Sequence, residues 1–329
     1  LLTWYEAVRR DLPWRRTADF YPVWISEIML QQTRVEAVIP FYLRFLDRFP
    51  TPEALAAAPE QDVLAAWSGL GYYSRARRLQ QAARQAVELG LPATRHEIEA
   101  LPGIGPYTSA AIASIVLGLP HAAVDGNVIR VVSRLTNDAS EVSSPEARRT
   151  FAAVAQTLLD PARPGDFNQA MMELGATVCR PGVPRCGECP VRAFCAAKKA
   201  GTERELPIKL KRQKSRDVAL DLLLLRRAGE VYLVQRHAGE SRLAGFWELP
   251  EKKLFPRVRG RLAAAFSHQI VNDRFRVSVW IPAHVAAKTP DLPEGRWIPV
   301  ADPGGIPLAT ITRKALAAVY GATAVNPAE

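Results

Sequence analysis

The spacing of apolar residues changes character once along this chain, and no single secondary-structure class accommodates both parts. Up to about residue 160 the apolar positions recur with helical spacing. Ala54 to Trp67 reads this way, then a stretch with Ser74 as its N-cap that runs through Leu89 and stops at Gly90, then Tyr107 to Leu117 and Val128 to Leu135. Later segments are short and β-branched or aromatic: Val218 to Leu225, Val231 to Gln235, Phe275 to Ile281 and Arg296 to Val300 read as strands, before helical spacing returns over Thr310 to Tyr320. Between the two patterns, Lys198 to Arg216 holds eight Lys/Arg against two Glu, includes Pro207 and has no helical apolar face. It reads as a basic linker or arm. The expected organisation is a mainly α region over 1–197, a linker over 198–216 and a smaller α+β domain over 217–329.

At 329 residues and 48% hydrophobic, the chain is long enough to bury two cores. Its net charge of +10 favours a polyanionic partner such as nucleic acid. The longest apolar stretch, Ser109 to Leu119, falls well short of the ~18–20 residues of a membrane span, so no membrane partner is expected. The chain begins Leu1-Leu2-Thr3, without Met or an apolar signal region. The expectation is a trimmed form of an intracellular protein, cytoplasmic and of bacterial type.

All four cysteines fall between Cys179 and Cys195, spaced Cys179-x6-Cys186-x2-Cys189-x5-Cys195, with Pro181, Gly182, Pro184, Gly187 and Pro190 among them. That is too few for a disulfide framework, and four thiolates on one short wrap make a single metal centre. Zinc and a 4Fe–4S cluster are both available to such a set. Structural zinc sites usually pair two short knuckles, whereas only one C-x2-C is present here, so the spacing fits a cluster better.

Upstream, Leu101-Pro102-Gly103-Ile104-Gly105-Pro106-Tyr107-Thr108 reads as a tight hairpin running into a helix. Gly103 and Gly105 allow backbone angles and close approach that a side chain would block, and the helix start offers free N–H groups to a phosphate. The string resembles the helix-hairpin-helix element of DNA-binding repair proteins. In Val124-Asp125-Gly126-Asn127-Val128, Asp125 precedes a helix and reads locally as its N-cap. Glu27 lies in the apolar run Trp24-Ile25-Ser26-Glu27-Ile28-Met29, surroundings that raise a carboxyl pKa, although a Glu so placed also commonly pairs with an Arg.

Together with Gln31-Gln32-Thr33 and the cysteine spacing, these motifs resemble the endonuclease III superfamily of base-excision DNA glycosylases, and within it the adenine-removing branch, over essentially the whole chain. The resemblance implies a helix-hairpin-helix glycosylase fold (hairpin element 101–117), a 4Fe–4S loop (179–195) and a C-terminal Nudix-like domain. It implies a monomer acting on double-stranded DNA that carries adenine opposite 8-oxoguanine or guanine. Members that also nick DNA carry a Lys where this chain has Tyr107, so it is expected only to hydrolyse the N-glycosidic bond.

Roles follow from the same resemblance. Glu27 would protonate adenine, and Asp125 would stabilise the cationic sugar. Tyr107 would hydrogen-bond near Asp125, and Asn127 would orient the water or the carboxylate. Gln31, Gln32 and Tyr72, the last within Gly69-Leu70-Gly71-Tyr72-Tyr73-Ser74, would contact DNA and fill the gap left by the extruded base. Trp14, Arg15 and Gln169 are candidates for the adenine pocket. Phe246-Trp247-Glu248-Leu249-Pro250 followed by Phe266-Ser267-His268 resembles the segment that reads 8-oxoguanine. There the Ser267 hydroxyl would accept the N7–H that guanine lacks, a hydrogen bond worth roughly 1–3 kcal/mol when buried. Residues 251–265 are shorter than in the family, so the helix usual there is expected to be reduced or missing. A full Nudix hydrolase signature is absent, and binding rather than nucleotide hydrolysis is expected of this domain.

Overall fold

The computed structural model describes residues 1–209, 216–237, 243–256, 258–283, 294–301 and 305–321. Helices α1 (Leu2–Val8), α2 (Phe20–Leu30), α3 (Val35–Arg48), α4 (Pro52–Ala57), α5 (Glu60–Trp67), α6 (Ser74–Leu89) and α7 (Arg95–Ala100) lead into α8 (Pro106–Val116), α9 (Gly126–Thr136), α10 (Pro145–Leu158), α11 (Pro164–Thr177) and α12 (Ala196–Ala200). Strands β1 (Arg216–Leu223), β2 (Arg226–Arg227), β3 (Glu230–Gln235), β4 (Trp247–Glu248), β5 (Gly260–Ile270), β6 (Asp273–Pro282) and β7 (Gly295–Pro299) follow, and α13 (Thr310–Tyr320) ends the described chain.

The chain divides into two compact units, Leu1–Ala57 with Arg78–Lys211, and Ala58–Arg77 with Arg212–Glu329. Residues 58–77, expected as part of the helical region, thus group with the strand-rich unit. The single helical run expected over Ala54 to Trp67 is two helices, because Pro59 has no N–H to continue a helix and restricts the residue before it. Instead Pro59 is the N-cap of α5. Nor is the start of the basic segment a free arm. Lys198 and Lys199 lie in α12, Leu206 is buried, and its carbonyl accepts from Arg134 Nε at 2.9 Å. Val142 N–H donates to Ile208 O at 3.1 Å. Residues 210–215 of the expected linker lie outside the described residues.

In the first unit, local signals set the helix ends. Thr94 closes a capping box with Glu97 at the start of α7, and Asp125 caps α9. Between α7 and α8, Leu101 and Ile104 are buried while Gly103 takes φ +84° at the exposed tip. A Cβ on Gly103 would lie 2.9 Å from Arg78 Cβ, so both its angle and its close approach need glycine. Val128, Val131, Phe151 and Leu174 form a core joining α9, α10 and α11.

In the second unit, β6 runs parallel to β1 and antiparallel to β5, and β3 pairs antiparallel with β2, β4 and β7. Leu222, Leu224, Val277, Val279 and Ile281 build a core that Leu316 of α13 joins. Among the described residues of 251–265 there is one short 3-10 turn, Lys252–Leu254, and no α-helix. No helix among the described residues is long and apolar enough to cross a membrane.

Candidate active site

In the first unit Glu27, Tyr107, Asp125 and Asn127 line one cavity, of about 830 Å³ including its open mouth. Val23, Ser26, Glu27 and Leu30 of α2 reach it as one helical face, and Gln169, Met172, Glu173 and Ala176 of α11 reach it as another. The 3-10 turn Pro13–Arg15 adds Trp14 and Arg15. All three residues expected in the adenine pocket therefore meet the four expected catalytic ones. Trp14 is buried edge-on against Tyr42, with ring centroids 5.3 Å apart.

The two carboxylates occupy different environments. Glu27 is 5% exposed, and its Oε2 has no hydrogen-bond partner among the described residues. Burial pushes its carboxyl up to about 7, the nearby Tyr107 hydroxyl takes back part of that shift, and the Asp125 charge adds to it. An unsatisfied buried acceptor costs about 1–3 kcal/mol, a cost that a proton on the carboxyl and a bound partner for it would remove. Asp125 is instead held by three donors. Its Oδ1 accepts from the backbone N–H groups of Asn127 (2.9 Å) and Val128 (2.8 Å), and its Oδ2 accepts from Asn127 Nδ2 (2.7 Å). Burial raises its pKa too, but these hydrogen bonds and the Arg130 charge oppose the rise. The Tyr107 hydroxyl donates to Met172 Sδ at 3.2 Å, and its pKa is well above the ordinary value because it is buried beside Glu27 and Asp125. A phenol so placed stays neutral.

Arg10, Glu173 and Arg130 are site residues that the sequence reading missed. Glu173, 1% exposed, accepts from Arg10 Nε (2.7 Å) and Nη2 (3.0 Å) and from Arg15 Nη2 (2.8 Å). Although burial alone would raise its pKa, the two guanidiniums hold it below the ordinary carboxylate range. Its place four residues after Gln169 on one helical face was a usable signal. Arg130, also buried, donates to Asn127 Oδ1 (2.8 Å), Gly175 O (2.8 Å) and Cys179 O (2.7 Å), so it fixes Asn127 against both α11 and the cysteine segment.

The four cysteines are free thiols lining one cavity together with Arg134. Arg134 Nη1 lies 3.3 Å from Cys179 Sγ and 2.9 Å from Arg180 O, and Cys195 Sγ is 3.3 Å from Arg134 O. Four soft sulfur donors around one space beside a buried guanidinium are a set that could hold a metal centre.

The remaining candidates lie elsewhere. Gln31 Nε2 donates to Thr108 Oγ1 at 3.1 Å, and Gln32 is exposed at φ +59°. Gly105 is the N-cap of α8 in extended backbone, where any residue would fit. In the second unit Tyr72 is 46% exposed, which excludes a core-packing role for it. Phe266 packs on the core, Ser267 is exposed on β5 opposite Arg276, and His268 Nδ1 lies 3.2 Å from Lys314 Nζ.

Residues 25–156 match the family model of the HhH-GPD superfamily base excision DNA repair proteins. The chain is 48% identical to the human adenine DNA glycosylase over 218 residues, 63% of this chain and 40% of that protein. It is 41% identical to the adenine DNA glycosylase of Mycolicibacterium smegmatis over 205 residues, 61% of this chain and 69% of that protein. Among solved structures, a thermostable thymine-DNA glycosylase superposes with a TM-score of 0.54 at 29% identity, over 60% of this chain and 93% of that one. Endonuclease III in a non-covalent DNA complex shares the fold with a TM-score of 0.51 at 21% identity, over 60% of this chain and 92% of that one. With a two-carboxylate cavity beside a helix-hairpin-helix and this degree of identity, the chain belongs to the adenine DNA glycosylase family of the HhH-GPD superfamily.

Proposed function

We propose that the protein is a monofunctional DNA glycosylase that hydrolyses the N-glycosidic bond of adenine opposite 8-oxoguanine, and more slowly opposite guanine, in double-stranded DNA. The observation that carries this reading is the pairing, across one cavity, of a Glu27 pushed to about 7 with an Asp125 held by three hydrogen-bond donors. Protonated Glu27 gives its proton to N7 of the extruded adenine as the C1′–N9 bond breaks and its electron pair leaves with the base. The sugar becomes cationic, and Asp125 stabilises that charge. Water then adds at C1′ and surrenders its proton to the carboxylate pair. Tyr107 supplies no amine, so no Schiff base forms with the sugar and the strand is not nicked.

The hairpin at Gly103 and Gly105 would hold a DNA phosphate, and Gln31, Gln32 and Tyr72 would fill the space the adenine leaves. Ser267 would read the opposite base. Cys179, Cys186, Cys189 and Cys195 would hold a 4Fe–4S cluster, which when bound supplies a rigid centre about which the 179–195 segment wraps. The protein would act as a monomer in the cytoplasm of a bacterial cell, on its DNA.

Single-turnover excision on duplexes with adenine opposite 8-oxoguanine, guanine and thymine tests the activity. The rate is expected to fall in that order. Equal rates on all three, or strand cleavage without added base, would overturn the reading.

A further inference from the structure

Within four residues of the second unit, Gly69, Gly71 and Tyr72 take φ of +118°, +74° and +48°. Glycine adopts such angles freely, but an aromatic side chain does so only when its surroundings enforce it. The group packed against the ring is Arg75, 9% exposed, from the first turn of α6. Its guanidinium lies 5.7 Å from the centre of the Tyr72 ring and 5.4 Å from that of Trp67. It also donates to Leu70 O (3.4 Å) and Gly71 O (3.2 Å), and Trp67 Nε1 donates to the same Gly71 carbonyl at 3.3 Å. One planar cation thus stacks on two rings and ties down two carbonyls, a combination that lysine cannot reproduce.

The base of the loop is fastened separately. Ser68 Oγ donates to Leu308 O (3.0 Å) and accepts from Arg313 Nη2 (2.8 Å), and the Tyr73 hydroxyl meets Thr310 Oγ1 (3.1 Å) and accepts from Gly69 N–H (3.3 Å). Within this fastened loop the Tyr72 ring is 46% exposed, with the Arg75 guanidinium against it.

We propose that Arg75 is a positioning residue for base extrusion, holding the 69–73 loop so that the Tyr72 ring stands out as a preformed wedge for the base stack. The proposal rests on the reading of Tyr72 as a gap-filling residue. Its physical content is preorganisation: a wedge ordered before DNA arrives adds no ordering cost to the step in which adenine leaves the stack.

The test compares Arg75→Met, Arg75→Lys and Tyr72→Ala with the unmodified protein in single-turnover excision on two duplexes. In one the adenine is paired opposite 8-oxoguanine; in the other it is already unpaired within an internal loop. Arg75→Met and Tyr72→Ala are expected to be about tenfold slower on the paired duplex (~1.4 kcal/mol), with a clearly smaller deficit on the unpaired one and Arg75→Lys intermediate. A general loss of folding would slow both duplexes alike, and that outcome overturns the proposal, as does an unchanged Arg75→Met rate on the paired duplex. Should Arg75→Met not fold, Arg75→Lys carries the same comparison. If Tyr72→Ala alone shows the paired-duplex defect, the wedge stands and Arg75 has no part in it. If Tyr72→Ala is indifferent to pairing, the wedge reading itself fails.

Discussion

At the scale of single residues, the two carboxyls differ in which polar atoms reach them: Glu27 is buried with Oε2 lacking a hydrogen-bond partner among the described residues and is poised near neutrality, while Asp125 is held by three donors that oppose the rise burial imposes on its pKa. Glu27→Gln is expected to abolish adenine excision while duplex binding persists, read by single-turnover kinetics and fluorescence anisotropy; residual turnover above about a hundredth of the original would remove Glu27 from the role of acid. Because its active form is protonated, excision is expected to decline as pH rises through about 7. Stability follows the same group. With a folded pKa raised from 4.5 to about 7, the stabilising contribution is complete below 4.5 and lost as pH rises through about 7, on the order of 3 kcal/mol in full. Denaturant unfolding of Glu27→Gln should therefore show a smaller loss of stability between those pH values. The apolar run around Glu27 made its raised pKa legible in advance. The Glu173 pair with Arg10 and Arg15 was not, because its partners come from a segment distant in sequence.

At the scale of elements, α9 joins the proposed catalytic carboxylate to the cysteine segment: Asp125 caps its N-terminus, Arg130 reaches Asn127 and Cys179 O, and Arg134 reaches Cys179 Sγ. Its close approach to α11 depends on Gly175, where a Cβ would fall 2.6 Å from Asn127 Cβ and 3.1 Å from Asn127 Cα. Gly175→Ala is expected to destabilise the fold by about 1–3 kcal/mol, seen by thermal melting, and to slow excision by displacing Asn127 from Asp125. Arg130→Met should lower the single-turnover rate at least about tenfold, with a smaller effect on DNA affinity, since it removes the donor to Asn127 Oδ1 and leaves that side chain held by Asp125 alone. The helix start at Asp125 and the stop at Gly90 could be read from local chemistry. Strand β5 could not: Leu262-Ala263-Ala264-Ala265 has no β-branched residue, and it is extended because β6 supplies its hydrogen-bond ladder from Gly260 to Ile270.

At the scale of the whole molecule, +10 of net charge predicts binding governed by phosphates. Duplex affinity is expected to fall at least about a hundredfold between 50 and 200 mM salt, measured by anisotropy titration. Ser267→Ala is expected to narrow the preference for 8-oxoguanine over guanine without changing the rate opposite guanine, and an unchanged rate ratio would exclude that contact. The sequence by itself determined that there are two kinds of secondary structure, that four thiolates share one loop, that a glycine hairpin precedes a helix, and that Asp125 caps another. All of these are local, set by φ preference, capping and apolar spacing within a few residues. Only the tertiary structure decided that Glu27 and Asp125 face one cavity, that α11 completes it with Glu173, and that residues 58–77 join the strand-rich unit. Burial, pKa and pairing are sums over neighbours brought together from across the chain, and no window of sequence contains them.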